Sequence, residues 1–322
     1  MHALNFSDVL IIPKIYTTIK TRKDVSVVNN GLTPIIASNM DTIGTMEVAR
    51  ELTKLKCLTI LHKYYNILEL LNFFIESETY YDYVGISSGI NEPEKLYEIL
   101  DVIKVKYVCL DVAHGGMKHF IKFCKDLKKR YPEIILIAGN ICTYKGYSAL
   151  CKAGVDIVKA GIGGGSVCTT RDVTGVGYPQ LQMILDIKRK QKWYQKALLI
   201  SDGNCKTSGD ICKALVAGAD FVMVGGMLSG TTESAGEITE IEGVQYKKFY
   251  GMSSSEAHGN KNFGVCNGTY KAPEGISKMV PLKGPVSVVI NNALGGIRSC
   301  CSYLGVSDSF KLKKASKFIL LK

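Results

Sequence analysis

What is missing from this chain narrows its chemistry before any motif is read. No stretch approaches eighteen uninterrupted apolar residues, which argues against a membrane-spanning helix. The N-terminus, MHALNFSDVLIIPK, lacks a charged n-region, an apolar block and a small-residue cleavage site, so the expected location is the cytoplasm. No Cys-x-x-Cys pair occurs among the eleven cysteines, whose number is odd and whose positions are scattered, so a disulfide framework is not expected. Most of them, such as Cys57, Cys109, Cys142 and Cys151, sit in apolar or amphipathic runs, where cysteine serves as a small hydrophobe in a reducing compartment. There is no Walker A sequence and no basic motif interleaved with aromatics. The formal charge of +11 favours anionic partners, but the lysines are spread along the chain as solvated helix faces. Phosphorylated small molecules therefore suit the charge better than nucleic acid.

What is present is a repeating pattern. Eight short, near-continuous apolar runs alternate with helix-length amphipathic segments: 34–38, 58–61, 83–87, 106–111, 134–138, 155–160, 197–201 and 220–225. Continuous rather than alternating hydrophobicity marks parallel strands buried on both faces. Between them, 119–130 places Phe120, Phe123, Cys124 and Leu127 on one face, and 207–217 runs up to Gly218 as a C-cap. Eight βα units favour a closed (β/α)8 barrel over an open doubly wound sheet. No linker, low-complexity tract or fixed-length repeat divides the 322 residues, so a single domain over 1–322 is expected. It would carry an N-terminal extension, a long insertion after the eighth strand and a last helix from about Pro285 to Tyr303. In such a barrel the chemistry sits on loops at the C-terminal strand ends, with phosphate held after strands seven and eight.

The loop after the sixth run reads Gly161-Ile-Gly-Gly-Gly-Ser-Val-Cys168-Thr-Thr-Arg171. So much glycine lets backbone groups approach a ligand, with N–H groups facing an anion or carbonyls facing a monovalent cation. Cys168 lies among hydroxyls and beside Arg171 rather than in an apolar strand, a setting that suits a nucleophilic thiolate.

This loop, continued by Thr174-Gly-Val-Gly-Tyr-Pro-Gln180, closely resembles the active-site loop shared by IMP dehydrogenases and GMP reductases. The resemblance covers nearly the whole chain, through Phe6-Ser-Asp-Val-Leu10, Ser38-Asn-Met-Asp-Thr42, His62-Lys63, Ser201-Asp-Gly203, Phe249-Tyr-Gly-Met-Ser-Ser254 and Leu294-Gly-Gly-Ile-Arg-Ser299. Four features favour the reductase branch. Only about twenty residues separate Lys63 from Gly85, leaving no room for the regulatory CBS modules usual in dehydrogenases. The one Arg-Tyr dipeptide, Arg130-Tyr131, ends a helix pattern instead of sitting on a flap that activates water. The wording of the motifs is close to the reductases, and Gly251–Glu274 is short for a mobile flap.

The resemblance implies NADPH-dependent reductive deamination of GMP to IMP through a covalent adduct on Cys168, with Thr170 and Glu274 as a proton relay and Lys63 on the catalytic side. It implies substrate contacts from Ser166, Asp202, Gly203, Gly225, Gly226, Tyr250, Gly251, Met252, Ser253 and Lys271. It implies cofactor contacts from Asp111, Ser299 and Tyr303, and potassium on the carbonyls of Gly163, Gly165 and Cys168. It further implies a homotetramer. Gly164, Asn204 and Lys271 depart from the family's usual proline, glycine and arginine. Two other readings remain open at this point: an IMP dehydrogenase without CBS modules, and a catalytically silent purine-nucleotide-binding scaffold.

Overall fold

The computed structural model describes residues 3–254, 256–257, 272–313 and 315–321. After a short strand β1 (Val9–Ile11), all eight apolar runs become parallel strands: β2 (Ile35–Ala37), β3 (Leu58–Leu61), β4 (Val84–Ser88), β5 (Tyr107–Asp111), β6 (Ile135–Ile141), β7 (Ile157–Ala160), β8 (Leu198–Asp202) and β9 (Phe221–Val224). They close in sequential order, β9 pairing back onto β2. The expected barrel is therefore the observed one.

Alternation along each strand decides which residues fill it. Ile36, Leu58, Ile60, Tyr107, Cys109, Ile137, Ile157, Ile200, Phe221 and Met223 form one interior cluster, separate from the larger core beneath the helices. Phe310 closes its N-terminal end with an edge-on contact to Phe221, ring centroids 5.8 Å apart. The interior is thus a packed core, and ligands are left only the rim formed by the C-terminal strand ends.

The outer ring comprises α1 (Met46–Lys54), α2 (Ile67–Ile75), α3 (Tyr80–Tyr83), α4 (Pro93–Val102), α5 (Lys118–Arg130), α6 (Tyr144–Lys152), α7 (Thr170–Thr174), α8 (Gln180–Lys190), α9 (Ser208–Ala217) and α10 (Val286–Leu304). In α5 the buried side chains are Phe120, Cys124 and Leu127, the apolar face read from the sequence. In α9, Thr207 accepts from the Asp210 N–H while the Asp210 carboxylate returns a bond to the Thr207 N–H, and Gly218 ends the helix at φ 119°. No helix among the described residues is long and apolar enough to cross a membrane.

One strand differs from expectation. β6 runs on to Ile141, past the Gly139-Asn140 pair, which reads as a turn in sequence. Barrel pairing overrides the local signal: Gly139 pairs with Asp111 and Ile141 with Ala160, across a register shift. That continuation delivers Asn140 to the rim. The insertion after β9 folds as an antiparallel sheet of β10 (Ile238–Ile241), β11 (Val244–Tyr250) and β12 (Ser277–Pro281), and a last strand β13 (Phe318–Leu320) pairs with β1.

Candidate active site

Cys168 sits on the loop between β7 and α7, and that loop is tied down on its far side by the insertion. The Thr169 N–H donates to Glu274 O at 2.9 Å, and the Ile276 N–H donates to Val167 O at 2.9 Å. The Glu274 N–H in turn donates to Ser253 O at 2.9 Å. Gly161 begins the loop at φ 151°, where a Cβ would stand 1.9 Å from Asp202 O, so only glycine fits.

This stitching brings three expected residues into one hydrogen-bonded chain. Cys168 Sγ lies 3.1 Å from Thr170 Oγ1, and Thr170 donates to Glu274 Oε2 at 2.7 Å. Threonine has a single hydroxyl proton. While that proton faces the carboxylate, the Thr170 oxygen is free to accept from the thiol, so a proton can pass between Cys168 and Glu274 by a two-step exchange. Several other cysteines are placed for packing only: burial pushes the thiols of Cys57, Cys109 and Cys124 up to about 12. Arg171 does not serve the thiol as its sequence position suggests. Its stem packs against Gly163 and Gly177, and its Nη2 donates to Tyr178 O at 2.6 Å.

Beside the cysteine loop lies a set of unused donors. The main-chain N–H groups of Ser166, Gly203, Gly226 and Met227 donate to no acceptor among the described residues. They come from the ends of β7, β8 and β9. Their neighbourhood is close, since a Cβ on Gly226 would meet Ser166 Oγ at 2.4 Å and one on Gly203 would meet the Gly164 carbonyl carbon at 3.2 Å. Converging backbone donors of this kind make an anion cradle. Around it, Tyr250 donates to Asp41 Oδ2 at 2.9 Å, and the Asp41 N–H approaches Met252 Sδ at 3.4 Å. Gly251 packs so tightly on Val167 O that a Cβ would come within 2.9 Å.

Across the barrel mouth runs a belt of charges that the sequence reading missed. Lys159, in the middle of β7, is only 3% exposed and places Nζ 2.8 Å from Asp111 Oδ1 and 3.2 Å from Asp202 Oδ2. Asn39 donates to Asp111 Oδ2 and Asn140 to Asp202 Oδ2, each at 2.8 Å. Burial by itself would raise the Asp111 pKa, but the Lys159 ammonium more than offsets it and holds the carboxyl below its ordinary value. Burial by itself would lower Lys159, and the facing carboxylates of Asp111 and Asp202 hold it above the ordinary lysine value instead. The stability contributed by Asp111 is therefore present above about pH 4 and lost as pH falls through its depressed pKa; that of Lys159 is present below about pH 10 and lost only as pH rises through its raised one. Removing the ammonium alone would leave two partly open carboxylates without their cation, a cost that solvent keeps below the roughly 3–5 kcal/mol of a fully buried pair. The signal was a lone lysine in the otherwise apolar run Ile157-Val-Lys-Ala160.

Lys63, expected on the catalytic side, is not the ion-pair partner of Asp111; Lys159 is. Lys63 Nζ lies over the Tyr64 ring at 5.5 Å, with no carboxylate within ion-pair distance among the described residues, and it adds to the positive field on Asp111. Ser299 and Tyr303 are not brought to the rim. They lie in the last turns of α10, whose first turn is tied to the insertion side by the Val286 N–H on Glu233 at 2.8 Å. Ser299 Oγ is turned back on Gly295 O at 3.1 Å, and the Tyr303 carbonyl accepts from the Lys14 N–H at 3.1 Å. Lys271 lies outside the described residues. Arg130 and Tyr131 both bond Asp101 at the end of α5, and so take no part in the site.

The IMP dehydrogenase / GMP reductase domain matches residues 3–322. The chain belongs to the IMP dehydrogenase/GMP reductase family. Its relatives include GMP reductase 2 of Homo sapiens, 44% identical, with 98% of this chain and 93% of the relative covered. GMP reductase of Phytophthora infestans is also 44% identical, over 98% and 90%. GMP reductase of Onchocerca volvulus is 40% identical, again over 98% and 90%.

Within this family, two of the departures seen in sequence prove to be neighbours. A Cβ on Gly164 would lie 3.4 Å from Asn204 Cβ, and the Asn204 N–H donates to Gly164 O at 2.8 Å. Asn204 takes φ 62°, a left-handed conformation that asparagine accepts more readily than most residues. Its side chain is directed to Asn5, 3.5 Å away. The extra side chain is thus accommodated where the facing position has lost its own.

Proposed function

We propose that this protein reduces GMP to IMP, releasing ammonia. The observation that carries the reading is the Cys168–Thr170–Glu274 chain, at 3.1 and 2.7 Å, beside an anion cradle drawn from the ends of β7, β8 and β9. GMP would lie with its phosphate on the free N–H groups of Ser166, Gly203, Gly226 and Met227. Its ribose hydroxyls would meet Asp202, whose Oδ1 makes no hydrogen bond among the described residues. Gly225, Tyr250, Gly251, Met252 and Ser253 would frame the ribose and base, with Lys271 as a further contact.

Cys168 Sγ, as thiolate, adds to purine C2. Ammonia is a poor leaving group unless protonated, and the proton passes from Glu274 through Thr170 to the departing nitrogen. Loss of ammonia leaves a thioimidate on Cys168. NADPH, held on the Asp111 side, would supply a hydride to the reacting carbon, and breaking of the carbon–sulfur bond would return Cys168 to its thiolate and release IMP. Asp111 suits the cofactor side: a third of its side chain is open at the rim, and each oxygen keeps a lone pair after binding Lys159 or Asn39. Lys63 offers an ammonium with no acidic partner among the described residues. A dehydrogenase would need a base for water, and the single Arg-Tyr dipeptide is committed to Asp101.

Ser299 and Tyr303 can act on a cofactor only from a neighbouring subunit, in keeping with the homotetramer that the resemblance implies. The carbonyls of Gly163, Gly165 and Cys168 suit potassium: Gly165 O accepts a single N–H, that of Cys168 at 3.1 Å, and keeps a lone pair, and the set contains no carboxylate to favour a divalent ion. Replacing potassium chloride by lithium chloride at equal ionic strength should lower turnover several-fold; unchanged rates would remove the ion from the account.

Two parallel incubations test the reading. GMP with NADPH should give IMP, ammonia and loss of NADPH absorbance, while IMP with NAD should give no turnover. Turnover of the second pair alone would make the chain a dehydrogenase. GMP binding with neither reaction would make it a silent scaffold.

A further inference from the structure

We infer that Lys159 is a positioning residue for both substrates at once, although it touches neither. Deep in β7, its ammonium is the only group among the described residues that bonds both rim carboxylates, Asp202 on the nucleotide side at 3.2 Å and Asp111 on the cofactor side at 2.8 Å. The inference rests on the GMP reductase reading, which gives those two carboxylates their ligands.

The geometry explains why one cation is placed there. Asp111 ends β5 and Asp202 ends β8, with β6 and the lysine-bearing β7 between them, and their remaining hydrogen bonds come from Asn39 and Asn140. Without a cation between them, two carboxylates facing the same small space would repel and be driven apart. A protonated carboxyl, or one swung toward solvent, is a poorer acceptor for ribose or carboxamide donors. Lys159 holds the Asp111 carboxyl below its ordinary value and fixes the face each carboxylate presents to the mouth. The ammonium is held from below by the packed interior, where Ile157 shares its strand face, so its position is set by the barrel and not by the ligands. Among the described residues the other titratable groups facing this belt are Lys63 and Tyr64 from the loop after β3, Cys109 on β5 and Cys205 after β8, two thiols that burial pushes up and keeps neutral.

The role separates from a structural one by its kinetic signature. Lys159→Met keeps the length of the side chain and removes the charge. It should raise the KM for GMP and for NADPH together, each by about tenfold, with a smaller fall in kcat. With the ammonium gone, burial dominates at Asp111, so its pKa rises and the acid limb of kcat/KM should move to higher pH. Lys159→Arg, which restores a cation, should return that limb toward the wild-type position. Wild-type turnover is measured first. If wild type does not reduce GMP, the function fails, and the belt is then judged from the pH dependence of GMP binding alone. If Lys159→Met does not fold, the Lys159→Met/Asp111→Asn double variant removes one charge of each sign, and its GMP affinity should still fall, because Asp202 has lost the ammonium that fixes it. Folded variants with both KM values and the pH profile unchanged would overturn the inference, as would a loss of thermal stability with no kinetic change.

Discussion

Cys168→Ala should abolish the conversion of GMP to IMP, by at least about 10³–10⁴-fold, while GMP binds about as tightly as to wild type. The two halves of this expectation come from different parts of the site. Turnover requires a sulfur to leave and return at purine C2, and no other described thiol lies in the Cys168–Thr170–Glu274 chain. In the proposed pose binding rests on backbone donors of Ser166, Gly203, Gly226 and Met227 and on Asp202, none of which the substitution removes. Stopped-flow absorbance for NADPH and calorimetry for GMP check the two halves separately. Residual turnover near the wild-type rate would refute covalent catalysis. Lost binding would instead show that the thiol shapes the cradle.

Glu274→Gln should leave GMP affinity unchanged and lower kcat by about 10²–10⁴-fold. Glutamine can still accept from Thr170 across the 2.7 Å contact, but it has no proton to exchange. Thr170→Ala should give a similar loss because it breaks the same chain at its middle, and the double variant should be little worse than either single one. Thr170→Ser keeps the hydroxyl and should recover much of the rate. Equal rates for Glu274→Gln and wild type would remove the relay and require another proton donor for ammonia.

The sequence showed the site better than it showed what holds the site. Apolar runs fell where the strands are, because parallel barrel strands are buried on both faces and need no periodic polar residue. The loops after the sixth, seventh and eighth runs therefore carried their motifs to the rim. Thr170 and Glu274, 104 residues apart, were linked by resemblance, and the stitching of the cysteine loop to the insertion gives that link a physical cause. The charge belt was not legible. Lys159 is 48 residues from Asp111 and 43 from Asp202, and only closure of the barrel makes them neighbours. Arg171 was misplaced for the opposite reason: nearness in sequence suggested a partner for the thiol, while the glycines at 163 and 177 left room for its stem to fold away. Ser299 ends a matched motif and Tyr303 lies one turn beyond it, and the direction of α10 then carried them away from the rim of their own chain.

The most direct test follows the hydride. NADPH carrying deuterium on the transferring face of its nicotinamide should, with GMP and the wild-type protein, yield IMP bearing one deuterium at C2. Cys168→Ala should yield none. Unlabelled IMP, or labelled IMP formed equally by Cys168→Ala, would contradict the account.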